Sequence, residues 1–269
     1  MKIEEVEISN PEKIIYPGKE ITKLDMIRYY QRISEEILPF LKDRPLTLQR
    51  FPDGIDTEGF YQKNAGDYFP DYIERVSIKT GDGTNTQVIC NNKKSLIYLA
   101  NQGTVSFHIW LAKKDVLNKP DKVVFDLDPP KDSFEKVKTA AERIGDFLRK
   151  EGEEPRLMTT GKSGFHIWYE KRRDKTFDER REEVKELTQR MAEKHPDLLT
   201  TATRKNKREN KVFVDYLRNA YGQTSICPYS LRPTPSCGIA TPLDWDELPG
   251  IESPDQYTID NIFRRLGQK

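Results

Sequence analysis

Cysteine and histidine are scarce in this sequence, three of each in 269 residues. Cys90, Cys227 and Cys237 are odd in number and lack the close pairing of a zinc knuckle, so they read as reduced core or loop thiols of a cytoplasmic protein. A dominant charge sign is also missing: 33% of residues are charged, yet the formal net charge is +1. Contact with DNA or RNA must therefore come from local basic patches, whose binding is salt-dependent through counterion release. No apolar run is long enough to span a bilayer, and the opening MKIEEVEISN lacks the apolar stretch of a secretory signal, which excludes membrane roles. What remains is a soluble globular chain able to bury a sizeable core, as one large domain or two intimate ones.

Among what is present, Asp121 to Pro130, DKVVFDLDPP, carries the clearest chemistry. Strand alternation puts Val123, Phe125 and Leu127 on one face and Val124, Asp126 and Asp128 on the other. Two carboxylates side by side at a strand's end, before prolines that stop the strand, suit a hard divalent cation such as magnesium or manganese. A solvated strand end has the same composition, so the pair alone leaves function open.

The rest of the chain supplies partners for it. Residues 22–42 predict an amphipathic helix, with Thr22 and Asp25 resembling a capping box. Before it, a turn-rich segment carries Lys13, Lys19 and Lys23, which are surface lysines or phosphate ligands with nothing local to decide. Phe60-Tyr61-Gln62-Lys63-Asn64 can stack on a base and touch a phosphate, or place one ring in the core and one outside. Tyr72 to Tyr98 reads as a β-meander broken by GDG and NN turns. Thr104–Leu111 and Gly164–Tyr169 share the tetrapeptide FHIW, setting His108 and His166 alike on two strands. A lone strand histidine is usually structural, but two of only three histidines placed alike invite a functional reading.

Between the echoes, Asp132–Lys150 predicts a second amphipathic helix and Arg156–Thr159 a strand. The turn Thr160-Gly161-Lys162-Ser163-Gly164 is not a Walker loop, since a strand follows it, but it can offer backbone N–H groups, a hydroxyl and a cation to a phosphate. Phe177–His195 predicts a third helix. The run Arg204-Lys205-Asn206-Lys207-Arg208-Glu209-Asn210 is a basic loop suited to phosphate backbone or merely a solvated turn. It feeds a strand that delivers a third acid, Asp215, with Arg218 close behind. A Pro-rich extended stretch carrying Arg232 follows, and Ser253–Leu266 reads as a closing helix.

In this order the acid pair, the Ser163-Gly164-x-His166 turn and strand and the later Asp215 resemble the archaeo-eukaryotic primase superfamily. More closely, the chain is similar to the polymerase domain of bacterial ligase D and its stand-alone archaeal relatives in non-homologous end joining. The likeness includes NPEK near Asn10, FYQKN at Phe60, FHIW at His108, DLDPP, DYLRN, and PYSLRP through ATPLDWDEL. It implies one primase-polymerase domain over residues 1–269, of α+β class, with a mostly antiparallel catalytic sheet flanked by helices and the meander from about Leu46 to Leu111 beside it.

The resemblance also implies roles. Asp126, Asp128 and Asp215 would bind two ions, manganese or magnesium, for in-line attack of a primer 3′-hydroxyl on a nucleoside triphosphate. Lys162, Ser163, His166 and Arg232 would hold the triphosphate, with His108 and Arg218 beside them. Asn10, Lys13 and Lys23 would form a pocket for the 5′-phosphate of a gap or break, Phe60 would stack near the template, and Arg50 would act around primer and template. Lys63 and the loop residues Arg204, Lys205, Lys207 and Arg208 complete the expected DNA contacts. Ribonucleotides are the implied preference. Two departures stand out: the family's T-S-G-x-K-G turn here reads TTGKSG, and the second aromatic is Tyr61 rather than Phe. No K-x-D-G adenylation motif is present, which points to a separate ligase, with Ku, as partners.

Two other classes compete. A strand ending in D-x-D also opens haloacid-dehalogenase-type phosphatases, although there Gly-Thr normally follows where this chain has Pro129-Pro130. A non-catalytic DNA-end adaptor would keep the basic surfaces, but the presence of all three acids argues against it.

Overall fold

The structure, a computed structural model, describes residues 1–81, 83–130 and 133–267. Two short hairpins open the chain, Lys2–Ile3 (β1) with Val6–Glu7 (β2) and Ile14–Tyr16 (β3) with Ile21–Thr22 (β4). Thr22 then caps Lys23–Arg32 (α1) in a reciprocal capping box with Asp25, as its spacing predicts. The helix expected over 22–42 is two helices, because the chain breaks at Ile33 before Ser34–Leu41 (α2). At the break the Ser34 hydroxyl donates to the Gln31 carbonyl at 2.8 Å, a local bond that competes with helix continuation.

Leu46–Arg50 (β5) and Phe60–Gln62 (β6) pair antiparallel, followed by a hairpin of Arg75–Thr80 (β7) and Gly83–Val88 (β8). The expected meander ends there: Lys93–Asn101 is a helix (α3), not a strand. Asn92, read as part of a turn, is its N-cap and accepts from the Ser95 N–H at 2.8 Å. The first FHIW strand is Thr104–Trp110 (β9), and the acid strand is Lys122–Asp128 (β10). Phe134–Lys150 (α4) leads to Arg156–Thr159 (β11), the second FHIW strand Phe165–Glu170 (β12) and Phe177–Lys194 (α5). The expected start of α4 at Asp132 lies outside the described residues. Leu199–Thr200 (β13), Val212–Asp215 (β14), Thr224–Ile226 (β15), Pro242–Leu243 (β16) and Ile262–Gly267 (α6) complete the order.

The larger sheet runs β13-β14-β10-β12-β11-β16, with only the β13–β14 pair parallel, and the smaller runs β15-β9-β5-β6. The α+β expectation therefore holds, but the smaller sheet is not a local meander: its β15 edge comes from beyond residue 220. Each sheet has its own core, α1 to α3 packing with the smaller and α4 and α5 with the larger. A third cluster lies between them and contains both echoed tryptophans, Trp110 of β9 and Trp168 of β12. The repeat thus has a physical reason: the two His/Trp faces look at each other, tryptophans filling the space between sheets while the histidines reach a cleft. Cys90, Cys227 and Cys237 are free and buried. Among the described residues no helix is long and apolar enough to cross a membrane.

Arg44 ties the sheets together at one end. Buried just before β5, it donates to both oxygens of Asp121, at 2.7 and 2.9 Å, and to the Trp110 carbonyl at 3.2 Å. Removing one partner strands a shielded charge, so Arg44→Ala is expected to destabilise the protein by about 3 kcal/mol. A shift in the urea midpoint at unchanged slope checks it, and no shift would mean the pair is dispensable.

Candidate active site

The acids meet through strand register. In the β10–β14 ladder Asp126 lies opposite Asp215 and Asp128 opposite Phe213, while in the β10–β12 ladder Asp126 lies opposite His166. Directly opposed residues hold their Cβ atoms about 5 Å apart, so His166, Asp126 and Asp215 form a row across three strands with Asp128 one step along. The hairpin turn between β11 and β12 stands at the end of this row.

Burial and repulsion dominate the row's electrostatics. Asp126 is nearly buried, which by itself would raise its pKa, but His166, with Nε2 at 3.4 Å from Oδ1, then Arg218 and Arg232 hold it down at about 2. Asp128 and Asp215 are both raised, first by burial and, among charges, by Asp126. Such a donor set, all hard carboxylate oxygens, fits divalent cations of the magnesium or manganese kind. As the side chains stand, no three His, Cys, Asp or Glu among the described residues close on one point. Protein groups partner each acid instead: Arg218 reaches Asp126 at 3.3 Å and Asp215 at 3.9 Å, Arg208 reaches Asp128 at 3.4 Å, and the Leu217 N–H donates to Asp215 at 2.8 Å.

Facing the acids is a cleft of about 280 Å³ that Asp126 and Asp128 line together with His108, Lys162, Ser163, His166, Arg218 and Arg232. Its cationic side is unsatisfied. Among the described residues, Arg218 Nε, Arg232 Nε and His108 Nε2 are buried without a hydrogen-bond partner. Burial, then Arg232, Arg218 and His166, push the His108 pKa well below its ordinary value, so that ring is neutral. Arg232 is likewise shifted down by burial. Buried donors without acceptors are costly, and a polyanion would relieve them.

The turn differs from its sequence reading. Two of its amides are taken: the Thr160 hydroxyl oxygen accepts from Ser163 N–H and Gly164 N–H, each at 3.1 Å, while the exposed Lys162 and Ser163 side chains line the cleft. Gly164 presses so close to β10 that a Cβ would sit 2.2 Å from the Leu127 carbonyl oxygen. Thr160, Tyr61, Ser225 and Ile226 also line the cleft, although the sequence reading named none of them as site residues. Thr160 had a signal, a hydroxyl three and four residues before the N–H groups it accepts. Tyr61 had one in its aromatic pair and packs edge-on against His108 at 5.6 Å. Ser225 and Ile226 had none, since a short edge strand in a Pro-rich stretch shows no period.

The expected DNA contacts fall into three places. Asn10, Lys13 and Lys23 come together: Lys23 N–H donates to the Lys13 carbonyl at 2.7 Å and Lys13 N–H to the Asn10 carbonyl at 3.1 Å. Lys23 is buried, its ammonium on Ser9 O at 2.6 Å and Ser9 Oγ at 3.0 Å, while Lys13 pairs with Asp53 at 2.7 Å. Near them Arg50 is buried and locked to Gln102, Gln62 and Tyr68, with its guanidinium 5.3 Å from the ring centre of the exposed Phe60. Lys63 is exposed. Arg204, Lys205 and Lys207 are exposed around a 3₁₀ turn, but Arg208 turns inward, stacked 3.9 Å over Phe213 and paired with Asp128. The structure brings Arg208 to the acids, where the basic-loop reading left it outside.

Residues 22–269 match the family model for the LigD primase-polymerase domain. The chain belongs to that family. It is 32% identical over 263 residues to the bifunctional non-homologous end joining protein LigD of Bacillus subtilis, covering 97% of this chain and 42% of the relative. It is 29% identical to the multifunctional LigD of Mycolicibacterium smegmatis, covering 99% of this chain and 35% of the relative, so it spans well under half of either protein. The solved polymerase domain of Mycobacterium tuberculosis ligase D, in complex with DNA, is similar with a TM-score of 0.91 at 27% identity, covering 98% of this chain and 95% of that one. Membership of the LigD family sets the phosphatase alternative aside.

Thr160→Val keeps the shape of the side chain while removing the acceptor for two amides of the turn. The expected loss is about 1–3 kcal/mol, with faster hydrogen exchange at Ser163 and Gly164. Wild-type protection at both would show that the hydroxyl does not organise the turn.

Proposed function

We propose that this chain is a template-directed nucleotidyltransferase, a DNA polymerase and primase that fills gaps and extends broken ends in non-homologous end joining. One arrangement carries the reading: acids on two paired strands, continued by His166 on a third, beside a cleft whose Arg218 and Arg232 carry buried nitrogens with no acceptor among the described residues. Asp126, Asp128 and Asp215 hold two manganese or magnesium ions, which when bound ease proton loss from a primer 3′-hydroxyl and offset the charge on the triphosphate. Lys162, Ser163, His166 and Arg232 bind the phosphates, giving the orphaned Arg232 nitrogen its missing acceptor. Arg218 and neutral His108 border the same phosphates. The 3′-oxygen attacks the α-phosphorus in line and pyrophosphate leaves. Ribonucleoside triphosphates are the preferred substrate over deoxyribonucleotides.

On the DNA side, Asn10, Lys13 and Lys23 receive the 5′-phosphate of a gap. Phe60, backed by Arg50, stacks at the template, and Lys63, Arg204, Lys205 and Lys207 contact the backbone. The names of the relatives support a place in end joining. A DNA ligase activity and Ku are the proposed partners of this extension step.

The test is extension of a primed, 5′-phosphorylated gapped duplex with manganese or magnesium and either nucleotide class. Asp128→Ala is expected to reduce extension to background while leaving DNA binding largely intact, and full extension by that variant removes the metal-site assignment. Lys23→Ala is expected to weaken binding to a gap bearing a 5′-phosphate more than to the same gap without it, by about 1.5–3 kcal/mol. Burial first, then Lys13 and Arg50, lower the Lys23 pKa to about 8. The ammonium is present below that value and lost above it, so the wild-type preference for the phosphate shrinks as pH rises past about 8. Equal losses on both gaps would refute the pocket.

A further inference from the structure

The β10–β14 ladder is short. The two strands pair only across Asp126 to Asp128, after which β14 ends at Asp215 and the chain turns through Leu217–Asn219. Val124, two residues before Asp126, would then show its N–H and C=O to an edge with no strand beside it. Asn219, 1% exposed, fills that place with its side chain: its Oδ1 accepts from the Val124 N–H at 2.9 Å and its Nδ2 donates to the Val124 carbonyl at 2.7 Å. The same Nδ2 donates to the Tyr216 carbonyl at 2.8 Å. One carboxamide thus imitates a peptide unit of the missing strand and closes the turn on itself.

What lies between the two anchors gives the arrangement its consequence. Asp215 at the end of β14 and Arg218 within the turn are the groups that β14 contributes to the acid row, and Arg218 bridges toward both Asp126 and Asp215. The turn's own bonds, Leu217 N–H to Asp215 and Asn219 N–H to Tyr216, are local and do not set its position against β10. We propose that Asn219 is a positioning residue for nucleotidyl transfer, fixing the turn that bears Asp215 and Arg218 against the strand that bears Asp126 and Asp128. An apolar side chain of similar size could fill the buried space, but only a carboxamide offers both an acceptor and a donor in strand geometry. The proposal rests on the polymerase reading, and a wild-type protein that fails to extend a primer would sink that reading first.

The experiment compares wild type, Asn219→Ala and Asn219→Asp in primer extension, with thermal melts and binding to the same gapped duplex. Displacing a reacting group by about 1 Å costs on the order of 100-fold in rate, so kcat per folded molecule is expected to fall roughly 10- to 100-fold in the alanine variant. The nucleotide KM should stay within about twofold, because the phosphate ligands of the β11–β12 turn, of β12 and of the Pro-rich stretch are untouched. The manganese concentration for half-maximal rate should rise, while DNA affinity stays unchanged. Asn219→Asp keeps an acceptor for Val124 N–H but loses both donated bonds, and it should share the defect. A lower melting temperature with wild-type kcat and manganese dependence in the folded fraction would overturn the proposal. Failure of both variants to fold would also count against it, making Asn219 a folding residue only.

Discussion

Everything in this molecule answers to one imposition of strand register: two carboxylates placed directly opposite each other in an antiparallel pair, with a histidine on the far side. Like charges facing across a ladder destabilise a sheet, and here the opposition of Asp126 and Asp215 is made worse by partial burial. A fold that keeps such a row must surround it with hydrogen-bond donors and positive charge. His166 comes from the neighbouring strand, Arg218 from the turn after β14, Arg208 from the basic loop and Arg232 from the Pro-rich stretch, so elements separated by more than a hundred residues of sequence are drawn to one place.

The second sheet supplies the opposite wall. His108 projects from β9 as His166 does from β12, and the tryptophan two residues further along each strand packs into the layer between sheets. That layer keeps the cleft open at the histidine level and closed below it. The Arg44–Asp121 pair at the sheet ends then limits how far one wall can move against the other. The turn of Thr160 to Gly164 sits at the rim, two of its amides committed to the Thr160 hydroxyl, and presents the Lys162 and Ser163 side chains to an anion there.

Features with a local period or a local chemical partner were legible in the sequence. The capping box of Thr22 and Asp25, the alternation of β10, the paired FHIW strands and the helix Phe177–Lys194 all follow from spacing alone. Where a polar side chain serves the backbone, spacing misleads: Asn92 caps a helix where the pattern predicts a strand, Ser34 breaks a helix that the pattern runs through, and Thr160 holds two amides of a turn that the pattern leaves open. Arg208 and Asn219 were opaque for another reason. Their roles exist only once β14 lies beside β10, and nothing within a few residues of either signals a partner 80 or 95 positions away. The acid row itself was legible through resemblance, whereas which arginine serves which acid required the strand register.

Geometry separates the ion pairs that hold the fold from those that wait for a ligand. Arg44 grips Asp121 with two bonds of 2.7 and 2.9 Å, the short bidentate form of a pair meant to stay. Around the acids the contacts are long: 3.3 and 3.9 Å for Arg218, 3.4 Å for Arg208 and 3.4 Å for His166. Hydrogen bonds weaken at such lengths, so the two guanidiniums neutralise the row without gripping it. The Arg218 side chain is 43% exposed, which lowers the cost of moving it. A guanidinium loosely shared between two acids is free to turn toward an incoming polyanion, and the acids are then open to the cations that arrive with it. Tight arginine–carboxylate forks at the same positions would stabilise the empty protein and oppose the exchange, so the looseness of these contacts is itself part of how the site works.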